Sequence, residues 1–136
     1  MKFVGLDGRI TTLNIVSSKY PVRSREQSKS IKQFQLGQIL QQLYSSEVIL
    51  EEFPIPGTQL RLDFFLPRRM LVVEYDGEQH TNFNKFFHKT AQGLSKQIER
   101  DAKKASWCSL NGITLVRVTV DYFNAEILKE LIIERS

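Results

Sequence analysis

The sequence predicts an α/β fold: a mixed central β-sheet flanked by helices, with an N-terminal β-hairpin ahead of it. Three observations predict it. Three short apolar runs separated by turn residues follow one helical stretch. A long helical stretch then intervenes before a fourth apolar run, and a last helical stretch closes the chain. A strand reached through a helix must cross over to rejoin its sheet, which adds parallel pairing to the antiparallel strands.

Residues 2–16 predict the hairpin. Asp7-Gly8 is a favoured tight-turn pair, flanked by Phe3, Val4 and Leu6 on one side and Ile10, Leu13 and Ile15 on the other. Residues 17–29 are polar and basic with one proline, Pro21, and read as a connector. Hairpin and connector (1–29) thus precede a main domain over 30–136. Ser30 is placed to cap a helix over 30–44, along which Ile31, Phe34, Ile39, Leu40 and Leu43 recur near helical spacing. Val48–Phe53 is the first strand of the main sheet and Pro54-Ile55-Pro56-Gly57 its turn. Leu60–Leu66 is the second, Pro67-Arg68-Arg69 turns the chain, and Met70–Tyr75 is the third, ended by Asp76-Gly77. Residues 81–90 have no clean period and read as a loop. Residues 91–110 read as a long helix with Leu94, Ile98, Ala102, Ala105 and Leu110 on one side, stopped by Asn111-Gly112. Ile113–Val120 is a strand, and residues 125–134 a closing helix.

Composition narrows the function classes. The 136 residues suit one domain, and 41% hydrophobic with 25% charged residues is a globular mix rather than that of a disordered tail. No apolar run approaches the roughly 20 residues of a membrane span, and the first residues carry no signal-peptide core. The single cysteine, Cys108, permits no internal disulfide. A cytoplasmic location is the expectation. Net charge is +4, and its distribution says more. Residues 1–33 and 85–104 are basic, while 45–53 and 74–78 are acidic. Basic surfaces carry phosphate affinity, and a local acidic pocket suits a metal.

One constellation carries chemistry. Asp63 sits in a largely apolar strand, and Glu74 and Asp76 end the next one. Residues two apart on a strand share a face, so Glu74 and Asp76 point the same way, Tyr75 points the other way, and Asp63 lies across from the acids. Buried carboxylates without partners are costly. Three of them call for a cation, and hard oxygen ligands suit Mg²⁺ or Mn²⁺. The bland alternative pairs each acid with an arginine such as Arg61 or Arg117.

This strand pair resembles the signature of the restriction-endonuclease-like, or PD-(D/E)XK, nucleases. Leu62-Asp63 stands where the family has Pro-Asp. Glu74-Tyr75-Asp76 stands for (D/E)xK, with Asp76 in the place of the lysine. The stretch from Arg61-Leu62-Asp63-Phe64 to Asp76-Gly77 is similar to the very-short-patch mismatch endonucleases and related phage homing nucleases. In these a D-F opens the motif, and a polar residue or histidine followed by glycine replaces the lysine. Glu99-Arg100-Asp101, followed by the stretch Leu110-Asn111-Gly112 to Val118, resembles the helix, turn and strand that come next in that group. Glu74-x-Asp76-Gly77-x-x-His80 also resembles a nuclease-like branch whose strand ends in E-V-D-G-x-Q-H. The resemblance covers roughly residues 30–120.

The resemblance implies a restriction-endonuclease-like core and Mg²⁺- or Mn²⁺-dependent hydrolysis of DNA. It implies that Asp63 is the principal metal ligand, that Glu74 and Asp76 supply more, and that Asp101 faces the site from the following helix. His80 is implied as an acid or base near the scissile phosphate. The family's first helix usually carries a glutamate. This chain has none between residues 27 and 46 and offers Gln35 or Gln38. DNA is the expected partner, held by Lys29, Lys32, Lys85, Lys89, Lys96, Arg100 and Lys103. Phe83, Phe86 and Phe87 interleave with lysines and His88 as in a base-contacting loop, or else tuck under the sheet. Trp107 and Cys108 are expected in the core. Two alternatives stand beside hydrolysis: a Holliday-junction resolvase, which requires a homodimer, and a DNA-binding module whose site has decayed. Monomer and homodimer both remain open.

Overall fold

The structure is a computed structural model and describes residues 1–76 and 91–135. A two-stranded antiparallel hairpin, β1 (Lys2–Val4) and β2 (Ile10–Thr12), precedes helix α1 (Ile31–Leu43). Strands β3 (Leu50–Pro54), β4 (Arg61–Leu66) and β5 (Leu71–Tyr75) follow. Helix α2 (Ala91–Leu110), strand β6 (Thr114–Val118) and helix α3 (Ala125–Arg135) complete the chain. The main sheet has the order β3-β4-β5-β6, antiparallel except for β5 and β6, which run parallel. The predicted α/β class, the element order and the crossover all hold. The loop expected over 81–90 lies outside the described residues. No described helix is long and apolar enough to cross a membrane.

The sheet is covered on both faces. On one, Leu50, Phe53, Phe65 and Val72 pack against Trp107 and Cys108 of α2 and against Phe3 of the hairpin. On the other, Phe64, Val73, Val116 and Val118 pack against Leu36 and Leu40 of α1 and Leu128 of α3. Each fully buried Leu, Val or Phe contributes roughly 1.5–3 kcal/mol from apolar area removed from water. Ser30 caps α1 as expected, its hydroxyl accepting from the Gln33 N–H at 3.1 Å. Gly37 sits where α1 meets the sheet, and a Cβ there would lie 3.1 Å from the Phe64 ring. The small residue sets the helix-to-sheet distance.

Asn111-Gly112 ends α2 as the sequence predicts. Gly112 adopts φ 65, the Ile113 N–H reaches the Cys108 carbonyl, and the Gly112 N–H reaches that of Ser109. Asn111 also ties the hairpin on. It accepts from the Val4 N–H at 2.7 Å and donates to the Val4 carbonyl at 3.0 Å and the Trp107 carbonyl at 2.8 Å. Asn111→Ala is expected to lower the unfolding free energy by about 2–3 kcal/mol, three hydrogen bonds at about 1 each. Urea denaturation checks this, and a loss below about 0.5 kcal/mol would contradict it.

The inward face of α2 differs from expectation. Leu94, Ile98, Ala102, Ala105 and Leu110 are exposed, Ile98 at 60%. The covered positions are Gly93, Gln97, Asp101, Lys104, Trp107, Cys108 and Asn111, which recur at helical period. The helix docks through a largely polar face because the sheet beneath it carries Glu74, Asp76 and Arg117, whose charges need partners.

Candidate active site

The β4–β5 ladder runs Leu66↔Leu71, Phe65↔Val72, Phe64↔Val73. One step further, Asp63 and Glu74 stand where the next pair belongs, and side chains replace the backbone rungs. The Tyr75 N–H donates to Asp63 Oδ2 at 2.8 Å, and the Asp63 N–H donates to Glu74 Oε2. On the other flank of β4, Glu51↔Phe64 and Phe53↔Leu62 bracket a step at which Glu52 stands opposite Asp63. Glu52, Asp63 and Glu74 therefore form one row across three strands, and all three are buried.

Glu52 holds φ 54, a left-handed conformation costly for a non-glycine residue. It breaks strand alternation. Leu50 and Phe53 both face the α2-side core, while Glu51 and Glu52 both turn to Gln33 of α1. The Gln33 amide donates to Glu51 Oε2 at 2.9 Å and Glu52 Oε2 at 3.2 Å. Glu51 Oε1 accepts the Arg23 N–H at 2.7 Å, and Lys29 stands 3.9 Å from Glu52. A cleft of about 340 Å³ opens beside this pair, lined by Lys19, Tyr20, Pro21, Arg23, Pro54 and Arg61 together with the two glutamates.

From the opposite face, Lys104 of α2 reaches Glu74 Oε1 at 2.7 Å. Its burial alone would lower its pKa, but Glu74, with Asp63 and Asp101 beyond, raises it above the ordinary lysine value. Lys104 is thus a fixed ammonium rather than a base. Asp63 is pushed the other way: burial, then the Glu74 charge, lifts its pKa from 3.8 to about 8, against the pull of the Tyr75 N–H, Lys104 and Lys29.

Glu74 and Asp76 share a face, as expected, and both are held from α2's side of the sheet. Asp76 lies 3.3 Å from Arg117, which also pairs with Asp101 at 3.3 Å and donates to the Asp101 carbonyl at 2.8 Å. The ligand set Asp63, Glu74 and Asp76 is therefore not brought together. Among the described residues no three histidine, cysteine or acidic side chains stand close enough to hold a metal ion. The reason is competition: Arg117 holds Asp76 and Asp101, in the manner of the bland alternative, and Lys104 holds one oxygen of Glu74. Tyr75 points to the opposite face and packs on Phe123.

Gln35 and Gln38 lie exposed, and Gln33 is the inward polar residue of α1. Gln33 shares a face with Leu36, Gly37 and Leu40, which was the available signal. Glu51 and Glu52 had a signal too, two acids inside an apolar strand, and Lys104 had its helical spacing from Asp101 and Cys108. Trp107 and Cys108 are buried as expected, and burial, with Glu74 nearby, pushes the Cys108 thiol up to about 12. Lys29, Lys96, Arg100 and Lys103 are exposed, Lys103 pairing with Glu99 at 3.0 Å. Lys32 donates to the Asp121 carbonyl at 2.6 Å. His80, Lys85, Lys89, His88 and the interleaved phenylalanines lie outside the described residues.

Relatives are viral. The chain is 43% identical over 65 residues to the uncharacterized protein 033L of Invertebrate iridescent virus 3, covering 48% of this chain and 34% of the relative. It is 39% identical over 59 residues to the uncharacterized protein 307L of Invertebrate iridescent virus 6, covering 43% and 30%. It is 39% identical over 66 residues to the uncharacterized protein 094L of Frog virus 3, covering 48% and 43%. The chain thus spans well under two thirds of these curated relatives. No family model matches it, and no solved structure does.

Proposed function

We propose that the protein is a metal-dependent DNA endonuclease whose reaction centre is the Asp63–Glu74–Lys104 cluster. The observation that carries this reading is the Asp63–Glu74 carboxylate pair buried beside the Lys104 ammonium, and burial, then the Glu74 charge, pushes Asp63 up to about 8. Such a site gains from a divalent cation. Asp63 and Glu74 suit Mg²⁺ or Mn²⁺, which bind through one or two carboxylates and keep several waters. When bound, the ion neutralises phosphate charge and makes water easier to deprotonate. Lys104 supplies the cation that the strand motif lacks, because Asp76 stands in the lysine's place. Its ammonium stabilises charge developing on the phosphoryl oxygens. Gln33 holds Glu52 at the end of the row and Glu51 beside it. Water adds to phosphorus, one P–O bond to deoxyribose breaks, and the leaving oxygen takes a proton.

Cleavage of supercoiled plasmid and of linear, nicked, mismatched and branched DNAs, with Mg²⁺ or Mn²⁺ and with EDTA, tests this. Cation-dependent nicking supports it. The binding-only reading draws on the ion pairs that occupy Glu74 and Asp76, and DNA binding without cleavage in either metal would select it. Preference for four-way junctions by a dimer would select a resolvase. Affinity is expected to fall steeply with salt. Lys96→Ala and Arg100→Ala, both exposed on α2, should each make the logarithmic salt slope shallower by about one unit. A salt-independent affinity would contradict the basic footprint.

A further inference from the structure

We propose that Tyr122 is a stacking platform for an unpaired nucleobase beside the cleavage centre, so that the substrate strand is splayed rather than fully paired there. This rests on the nuclease reading above. The loop after β6, residues 119–124, leaves the sheet at the end where Asp63 and Glu74 stand, since β5 and β6 are parallel and Tyr75 is in register with Val118. Tyr75 links the two directly. Its backbone N–H is held by Asp63, and its hydroxyl donates to Asp121 Oδ1 at 3.2 Å. The loop is pinned on three sides. Lys32 bonds the Asp121 carbonyl at 2.6 Å and lies 5.8 Å from the Phe123 ring centre, Phe123 packs on Tyr75 with centroids 5.9 Å apart, and Asn124 caps α3 through the Ile127 N–H at 2.9 Å.

On this fixed loop Tyr122 alone turns its ring outward. It is 72% exposed, the most of any large apolar side chain among the described residues. Single exposed apolar residues are ordinary. An aromatic presented on a pinned loop, next to the buried Phe123, is less so. Lys32 of α1 reaches this loop through the Asp121 carbonyl, and Lys29 just before α1 lies 3.9 Å from Glu52 of the acid row. Aromatic faces that take bases, set beside lysines that take phosphates, are the elements of single-strand recognition.

The test measures binding of the full chain to a single-stranded oligodeoxynucleotide, its duplex, and the same strand with one abasic position, without divalent metal. Tyr122→Ala is expected to weaken single-strand binding roughly tenfold to a hundredfold, with a much smaller effect on the duplex. Tyr122→Phe should bind like the parent. The penalty of Tyr122→Ala should shrink when the abasic position lies under the ring. Because the chain has one tryptophan, the buried Trp107, Tyr122→Trp adds an exposed reporter whose emission should be quenched by the single strand. Equal binding by Tyr122→Ala and parent, or an equal loss in Tyr122→Phe, would overturn the proposal, as would the absence of nucleic-acid binding. Cleavage in Mg²⁺ is read separately: stacking without cleavage retires the nuclease reading alone, and cleavage indifferent to Tyr122 retires the platform alone.

Discussion

Asp63→Asn is expected to abolish Mg²⁺-dependent cleavage and, in the same protein, to stabilise the metal-free fold at neutral pH. The two effects share one cause. Asp63 is raised to about 8 by burial and then by the Glu74 charge. An unfolded chain gives up this proton near the ordinary value of 3.8, whereas the folded chain keeps it to about 8. Below pH 4 Asp63 is protonated in both states and its contribution to stability is present in full. Between about 4 and 8 the unfolded state holds fewer protons, so stability falls as pH rises, by an amount on the order of a few kcal/mol in all. Asparagine cannot ionise and still offers an oxygen to the Tyr75 N–H, so this dependence should flatten. Urea unfolding at pH 5 and pH 8 in EDTA, on parent and variant, checks it. A parent more stable at pH 8 than at pH 5 would contradict the assignment. So would near-parental cleavage by the variant, since loss of a metal ligand should cost several kcal/mol of transition-state stabilisation.

Lys104→Met is expected to be the most destabilising single change at the site. It leaves Glu74, 2% exposed, without its ion partner beside an already crowded Asp63. Breaking a buried pair from one side typically costs about 3–5 kcal/mol. Adding Glu74→Gln should recover much of that, because a neutral amide needs no counter-charge. If Lys104→Met costs under about 1 kcal/mol, the pair is not what holds Glu74 in place. Cleavage should be lost in both variants, so stability and activity separate in the double variant. The raised Lys104 pKa carries its own sign: the pair's contribution is intact below the ordinary lysine value of 10.5 and fades only as pH rises beyond it.

The elements were legible because apolar period and turn residues are local. Ser30, Asp7-Gly8 and Asn111-Gly112 do in three dimensions what their chemistry suggests. What local pattern hid was orientation. The Leu94–Ile98–Leu110 stripe on α2 satisfies a helical period yet faces outward, because the sheet beneath α2 is charged and draws Lys104 and Asp101 inward. Glu52 was hidden for a different reason: alternation presumes extended backbone, and a residue at φ 54 turns two successive side chains to one face. Asp63 and Glu74 were recognisable as acids in apolar strands. That Arg117 would hold Asp76 depends on parallel pairing with β6, a contact across 41 residues of sequence.

The β4–β5 pair is closed differently at its two ends. At Leu66–Leu71 the chain itself joins the strands through a short turn at Pro67–Arg69. At Asp63–Glu74 the closing rungs are carboxylates. One end is therefore indifferent to solution conditions, while the other loosens or tightens with protons and with any cation that displaces them. On the proposed nuclease reading, the proton-sensitive end of the ribbon is the end turned toward the substrate strand.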